Sequence, residues 1–182
     1  MDIIKQNQTV NVFVLTVNHC DPPGAARQRP WRIGETCVAF FLIADDDELV
    51  VERVRDALSA RGHIVGAVGD GKLVAVIVEV RQPDMVILDC SMPDVSGIEA
   101  LRQIRLSPHC GPTPVLMLTA RGSQADEDIA MRAGANDYLR KPFDPDELVS
   151  RVELLLDRTQ RQNRLGVKAL PLRQPLAPLE RY

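Results

Sequence analysis

Residues Phe41–Val50 read FLIADDDELV. An apolar run without polar alternation stops at Ala44, and three aspartates, Asp45, Asp46 and Asp47, follow at once. Such a run suits a strand covered on both faces rather than one with a wet side. Three adjacent carboxylates repel one another, and crowding them without a partner disfavours their ionisation. Either they open a solvated helix, or something positive sits among them.

The same unit recurs outward from this stretch. Val38–Ala44 is a strand, and Glu48–Arg61 places Val50, Val51, Val54, Ala57 and Leu58 at helical spacing, with Gly62 as the stop. His63–Val68 reads as a second, weaker strand. Gly71–Gln82 contains LVAVIVEV, which is β-branched enough to pass for a strand, but its place between two strands predicts a helix. Asp84–Asp89 (DMVILD) and Pro114–Thr119 (PVLMLT) are buried strands. Ser96–Leu106 is a helix with Ser96 and Glu99 spaced as a capping box, and Ser123–Ala133 is a helix closed by Gly134. Asp137–Arg140 is a short strand. Asp144, Pro145 and Glu147 then start a last helix that runs to about Gln160. Strict alternation of five strands and five helices predicts an α/β fold with a parallel, doubly wound sheet. Ligands of such sheets sit outside the C-terminal strand ends.

The flanks differ from this body. Residues 1–36 read as an extension, mostly disordered, with one short strand over Val10–Val17 and a turn-rich DPPGAARQRP stretch. Residues 161–182 contain prolines, lack a helical period and read as a tail. Residues 37–156 carry 12 Lys+Arg against 20 Asp+Glu, whereas residues 157–182 carry 6 against 2. An acidic body therefore bears a basic tail, and the net charge of −3 points to neither nucleic acid nor a membrane surface. The four cysteines, Cys20, Cys37, Cys90 and Cys110, lack zinc-ligand spacing, so free thiols in a reducing compartment are expected. The apolar stretches are too short to span a membrane, and the N-terminus is a poor signal peptide, which together predict a soluble cytoplasmic protein.

The polar residues cluster on this frame. Asp45, Asp46 and Asp47 follow the first strand, Asp89 ends the third, Thr119 ends the fourth, and Lys141 lies just past the fifth. Singly each has a plain explanation: a cap or turn aspartate, a β-forming threonine, a loop lysine. Together they set complementary groups on one sheet edge. Carboxylates there suit a hard cation such as Mg²⁺, lysine suits a phosphate oxygen as a point charge, and a threonine hydroxyl can bond another. A recessed, metal-neighboured Asp89 can attack phosphorus.

FLIADDDELV, LDCSMPDVSG, VLMLTA and YLRKPF together resemble the receiver domain of two-component response regulators over roughly residues 38–158. The motifs keep that family's order and approximate spacing, with 30 residues from Asp89 to Thr119 and 22 from Thr119 to Lys141. The resemblance implies a flavodoxin-like (βα)5 fold with strand order 2-1-3-4-5 and a receiver domain over residues 37–160. It implies Asp89 as phosphoacceptor, and Asp45, Asp46, Asp89 and the Ser91 backbone carbonyl as ligands of Mg²⁺ or Mn²⁺. Thr119 and Tyr138 match the switch pair, Ala120 the small residue beside the phosphate, and Lys141 the site lysine. Pro142 would follow a cis peptide bond. Ser91 and Arg121 fall at positions that tune phosphoryl lifetime. Asp47 matches no metal ligand and is expected to cap the first helix.

The implied function is a switch, not a conventional enzyme. A sensor histidine kinase or histidine phosphotransfer protein would phosphorylate Asp89, and the helix 4–strand 5–helix 5 face would then control a partner protein or dimerisation through helices 4 and 5. With no output domain evident after residue 160, a stand-alone receiver is expected, and direct DNA binding is not. Two rivals remain. A haloacid-dehalogenase-like phosphatase uses similar groups, but Leu49 stands where its D-x-D-x-T/V pattern wants Thr or Val. A degenerate receiver that only binds partners would not need all five site positions.

Overall fold

The computed structural model describes residues 32–33, 36–120 and 124–164. Strands β1 (Phe40–Ala44), β2 (Ile64–Val68), β3 (Met85–Asp89), β4 (Val115–Thr119) and β5 (Asp137–Arg140) form one sheet. Its order is β2-β1-β3-β4-β5 and every pairing is parallel. Helices α1 (Glu48–Ser59), α2 (Gly71–Arg81), α3 (Gly97–Leu106), α4 (Gln124–Ala133) and α5 (Pro145–Arg164) make the crossovers and the final return. This is the doubly wound arrangement expected from the alternation.

The apolar strands feed two cores, one on each side of the sheet. Phe41, Ile43, Met85, Ile87, Leu116 and Leu118 point to the side covered by α1 and α5, where Val54, Leu58, Leu148 and Val152 meet them. The alternate residues Leu42, Ala44, Val86, Leu88, Val115 and Met117 face α2, α3 and α4. Successive side chains of a strand point to opposite faces, so a strand covered twice has no position left for a polar residue. Each fully buried large side chain contributes roughly 1.5–3 kcal/mol relative to exposure.

Helix α2 settles the one ambiguous segment. Val74 and Val78 are fully buried one turn apart, and the ends are fixed by caps. The Lys72 amide donates to Asp70 Oδ1 at 2.8 Å, and Gln82, at φ 46°, returns its amide to the Val78 carbonyl. Burial and capping override the β preference of the valines. Helix α5 runs to Arg164, beyond the stop expected near Gln160, with Arg161 pairing to Asp157 one turn earlier. Upstream, Arg32–Ile33 pairs antiparallel with Thr36–Cys37. The strand expected at Val10–Val17, the tail beyond residue 164 and Arg121 lie outside the described residues.

Neither Cys90 nor Cys110 is part of a disulfide. No helix of the described residues is long and apolar enough to cross a membrane.

Arg105 staples one side of the domain. Its guanidinium donates to the carbonyls of Gly134, Gly111 and Thr113 and to Asn136 Oδ1, all at 2.8–2.9 Å. It thereby ties the end of α3 to the loops before β4 and before β5. Burial pulls its pKa down to about 10. Lysine has no planar fork to serve four acceptors in different directions. Arg105→Lys is therefore expected to lower the unfolding free energy by about 2 kcal/mol, read as a reduced urea midpoint with unchanged slope. A midpoint equal to that of the parent would show that the staple carries no stability.

Candidate functional site

The sheet register gathers the site. Ala44 pairs with Leu88, Asp89 with Leu118, and Thr119 with Arg140. Asp45, Asp89, Thr119 and Lys141 therefore fall in one row at the C-terminal edge, and the Lys141 amide still donates to the Thr119 carbonyl at 2.7 Å. Asp45 and Asp89 are each 3% exposed and Thr119 is 5% exposed, whereas Asp46 lies in solvent.

Lys141 is the centre of the cluster. Its ammonium donates to Asp45 Oδ2 at 2.6 Å and to Asp89 Oδ1 at 2.7 Å. The remaining oxygens are also satisfied. Asp89 Oδ2 accepts from the Ser91 amide at 2.6 Å, and Asp45 Oδ1 accepts from the Asp47 amide at 3.0 Å. Burial raises the Asp45 pKa; the bond from Lys141 opposes this without cancelling it. Burial likewise opposes the charge on Lys141, but the two carboxylates outweigh it and its pKa is raised.

One ammonium among Asp45, Asp46 and Asp89 leaves the cluster negative. These three residues offer carboxylate oxygens all within 4.8 Å of one another. A compact set of hard oxygens, short of positive charge and open to water at Asp46, fits Mg²⁺ or Mn²⁺.

The three consecutive aspartates have three environments. Asp45 is buried against Lys141 and Asp46 is exposed. Asp47 caps α1, with Oδ1 accepting from the Leu49 amide at 3.0 Å. The N-cap expected from the sequence is thus the one observed.

The loop between β3 and α3 is pressed onto the site. The Gly97 amide donates to the Cys90 carbonyl at 3.2 Å. A Cβ on Gly97 would overlap the Asp89 carbonyl oxygen, so only glycine lets the start of α3 approach this closely. On the opposite side the Lys141–Pro142 bond is cis.

Beside Asp89 a cleft of about 130 Å³ is lined by Cys90, Ser91, Ile98, Thr119, Asp126 and Ile129. Burial pushes the Cys90 thiol up to about 11. Ser91 and Ala120 are exposed on the rim. Tyr138 is half-buried on β5, and the Glu127 carboxylate of α4 raises the pKa of its phenol. The sequence did not single out Cys90, Asp126 or Glu127. Cys90 carried one available signal, its place directly after Asp89; the two α4 acids carried none beyond helical phase.

A model of the response regulator receiver domain matches residues 41–153. The chain belongs to this family, the receivers of two-component signal transduction. It is 39% identical over 129 residues to the response regulator MprA of Mycolicibacterium vanbaalenii, an alignment covering 71% of this chain and 55% of that protein. The chain thus spans about half the length of the curated relatives it matches. Among solved structures, the receiver domain of Francisella response regulator 1452 is 31% identical with a TM-score of 0.62, covering 66% of this chain and 98% of that one. The receiver domain of the sensor histidine kinase PA1611 from Pseudomonas aeruginosa PAO1 is 29% identical with a TM-score of 0.62, with coverage of 66% and 98%. That structure holds a magnesium ion coordinated in its active site cleft.

A pKa raised on folding makes a carboxylate cost stability once it is ionised. For Asp45 the loss sets in as pH rises above 3.8 and is complete above its raised value. Asp45→Asn is therefore expected to be more stable than the parent at neutral pH without divalent metal. The gain should shrink as pH falls through the raised Asp45 pKa toward the ordinary carboxylate value, as Asp45 takes up its proton. Urea midpoints across that range test this, and a gain independent of pH would refute the assignment.

Proposed function

We propose that the chain is a phosphorylation switch in which Asp89 accepts a phosphoryl group from a phosphohistidine of a sensor histidine kinase or histidine phosphotransfer protein. The observation that carries this reading is the Lys141 ammonium, held 2.6–2.7 Å from both Asp45 and Asp89 inside a carboxylate cluster. An Asp89 oxygen forms a bond to phosphorus as the P–N bond of the donor breaks, and that electron pair leaves with the imidazole. Mg²⁺ or Mn²⁺, when bound, supplies charge neutralisation for the phosphoryl oxygens in transfer. Asp45, Asp46, Asp89 and the Ser91 carbonyl would hold the ion. Lys141 then exchanges its bond to Asp89 for one to a phosphoryl oxygen, and Thr119 offers its hydroxyl to another.

The same reading assigns Thr119 and Tyr138 to the switch, Ala120 to the space the phosphoryl group needs, and Ser91 and Arg121 to the tuning of its lifetime. Phosphorylation would favour a second arrangement of the α4-β5-α5 face, a population shift driven by better phosphoryl contacts in one state. The rearranged face would engage a downstream protein or a second copy through α4 and α5. Asp47 spends its carboxylate on the α1 cap, which disfavours the phosphatase reading that needs it beside the nucleophile.

Acetyl phosphate with Mg²⁺ is expected to add one phosphoryl mass to the parent, and none to Asp89→Ala or to parent protein in excess chelator, by intact-mass spectrometry. Asp46→Asn should weaken Mg²⁺ binding tenfold or more. Equal labelling of Asp89→Ala would move the acceptor elsewhere, and an unlabelled parent would support a receiver that only binds partners.

A further inference from the structure

Strand β2 is an edge of the sheet, and among the described residues no strand pairs with its outer side. The Ile64 amide donates to the Ala39 carbonyl at 3.0 Å, and the Val68 carbonyl accepts from the Asp45 amide at 3.1 Å. Alternate residues of a strand turn their backbone groups to the same side, so Val65 and Ala67 present their amides and carbonyls outward. An open edge is ordinarily blunted by charge or proline, yet β2 reads IVGAV. Helix α2 continues this apolar surface. It packs over β1 and β2 and against α3. Lys72 bonds to Asp94, before α3, and Glu79 accepts from Ser107 at the end of α3, so that flank of α2 faces α3. Val74 and Val78 face the sheet. At 3.6 residues per turn, Leu73, Ile77 and Val80 then fall on the opposite flank, above the outer side of β2. Val80 is 74% exposed and the neighbouring Val76 58%.

We propose that residues 10–17, which lie outside the described residues, add to the outer side of β2 as an antiparallel sixth strand flanked by the apolar side of α2. Their sequence VNVFVLTV has the β-branched and aromatic composition of a strand. Alternation sets Val10, Val12 and Val14 on one face and Phe13, Leu15 and Val17 on the other, so both faces are apolar. An antiparallel strand here ends at the side of the sheet where β1 begins, and parallel sheets commonly carry an antiparallel edge strand. The connection reaches. Arg32 lies opposite Cys37, just ahead of β1. Residues 18–31 span roughly 45 Å when extended, whereas the new strand is two strand spacings, about 10 Å, from β1. The tether gives this segment a millimolar effective concentration at the edge, which favours it over a second copy pairing edge to edge. The pairing covers the valines that α2 leaves in solvent, and it is independent of the phosphoacceptor reading.

The test is nuclear magnetic resonance on the full chain. Backbone Overhauser contacts are expected from residues 10–17 to Val65 or Ala67, and their absence overturns the proposal. Contacts found only between differently labelled chains of a mixed sample assign the edge to a second copy and overturn it equally. Amide exchange supplies the second readout. Replacing both Val12 and Phe13 by proline removes one amide of each orientation and should speed exchange at Val65 and Ala67 at least tenfold. The Ile64 amide, bonded to Ala39, should change less than twofold and reports loosening of the domain itself. Val12→Thr with Phe13→Tyr keeps both amides and the strand preference, and should retain the parent's protection. Val65 and Ala67 amides that exchange at the parent's rate in the proline variant overturn the proposal.

Discussion

Two carboxylates buried at the end of a parallel sheet require a cation, and the structure brings that cation from the far end of the chain. Asp45 and Asp89 are almost fully enclosed, so neither can rely on water to support its charge. Lys141 meets both, although it lies 96 residues from one and 52 from the other. It reaches them because β1, β3, β4 and β5 are aligned so that their C-terminal residues share one row. The two apolar cores on either side of the sheet hold that alignment. A slip of any strand by one residue would turn its side chains to the other face and separate the ion cluster as well. Packing and electrostatics thus specify the same register.

That constraint explains why one short acidic run carries three separate tasks. The chain leaves β1 after Ala44 and must turn into α1 within three residues. The first aspartate is still in the row with Lys141, the second has turned out to solvent, and the third is at the helix start, where an amide needs an acceptor. Like charges are tolerable here because each has a different partner: an ammonium, water and a helix N-terminus.

How much of this could be read in advance depends on whether the partners are local. The strands, the Ser96 and Asp47 caps and the row of polar residues at the sheet edge follow from period, capping chemistry and topology. The bridge by Lys141 does not: the sequence places the lysine on the correct edge, but not between two particular oxygens. LVAVIVEV was ambiguous because its composition favours one state and its place in the alternation another; the Asp70 cap and the burial of Val74 and Val78 decide it. Arg105 gave no signal at all. Its acceptors are three backbone carbonyls and one amide oxygen from two loops, and carbonyls are present at every residue of any sequence.

The distribution of strong and weak contacts bears on which part of the domain can respond to a phosphoryl group. A ligand shifts an equilibrium only by its differential affinity for the two states, so the contacts it displaces must be weak. The carbonyl of Gly134, just past α4, and the side chain of Asn136 are bound to the Arg105 guanidinium, a charged donor with several acceptors. The first turns of α4 meet the sheet edge differently. Asp126 lines the cleft with Thr119, and the Glu127 carboxylate raises the pKa of the Tyr138 phenol. Under the proposed function, a phosphoryl group on Asp89 would act beside the start of α4, where Asp126 and Thr119 line one cleft, while the Arg105 guanidinium would hold the loop that follows the other end of that helix.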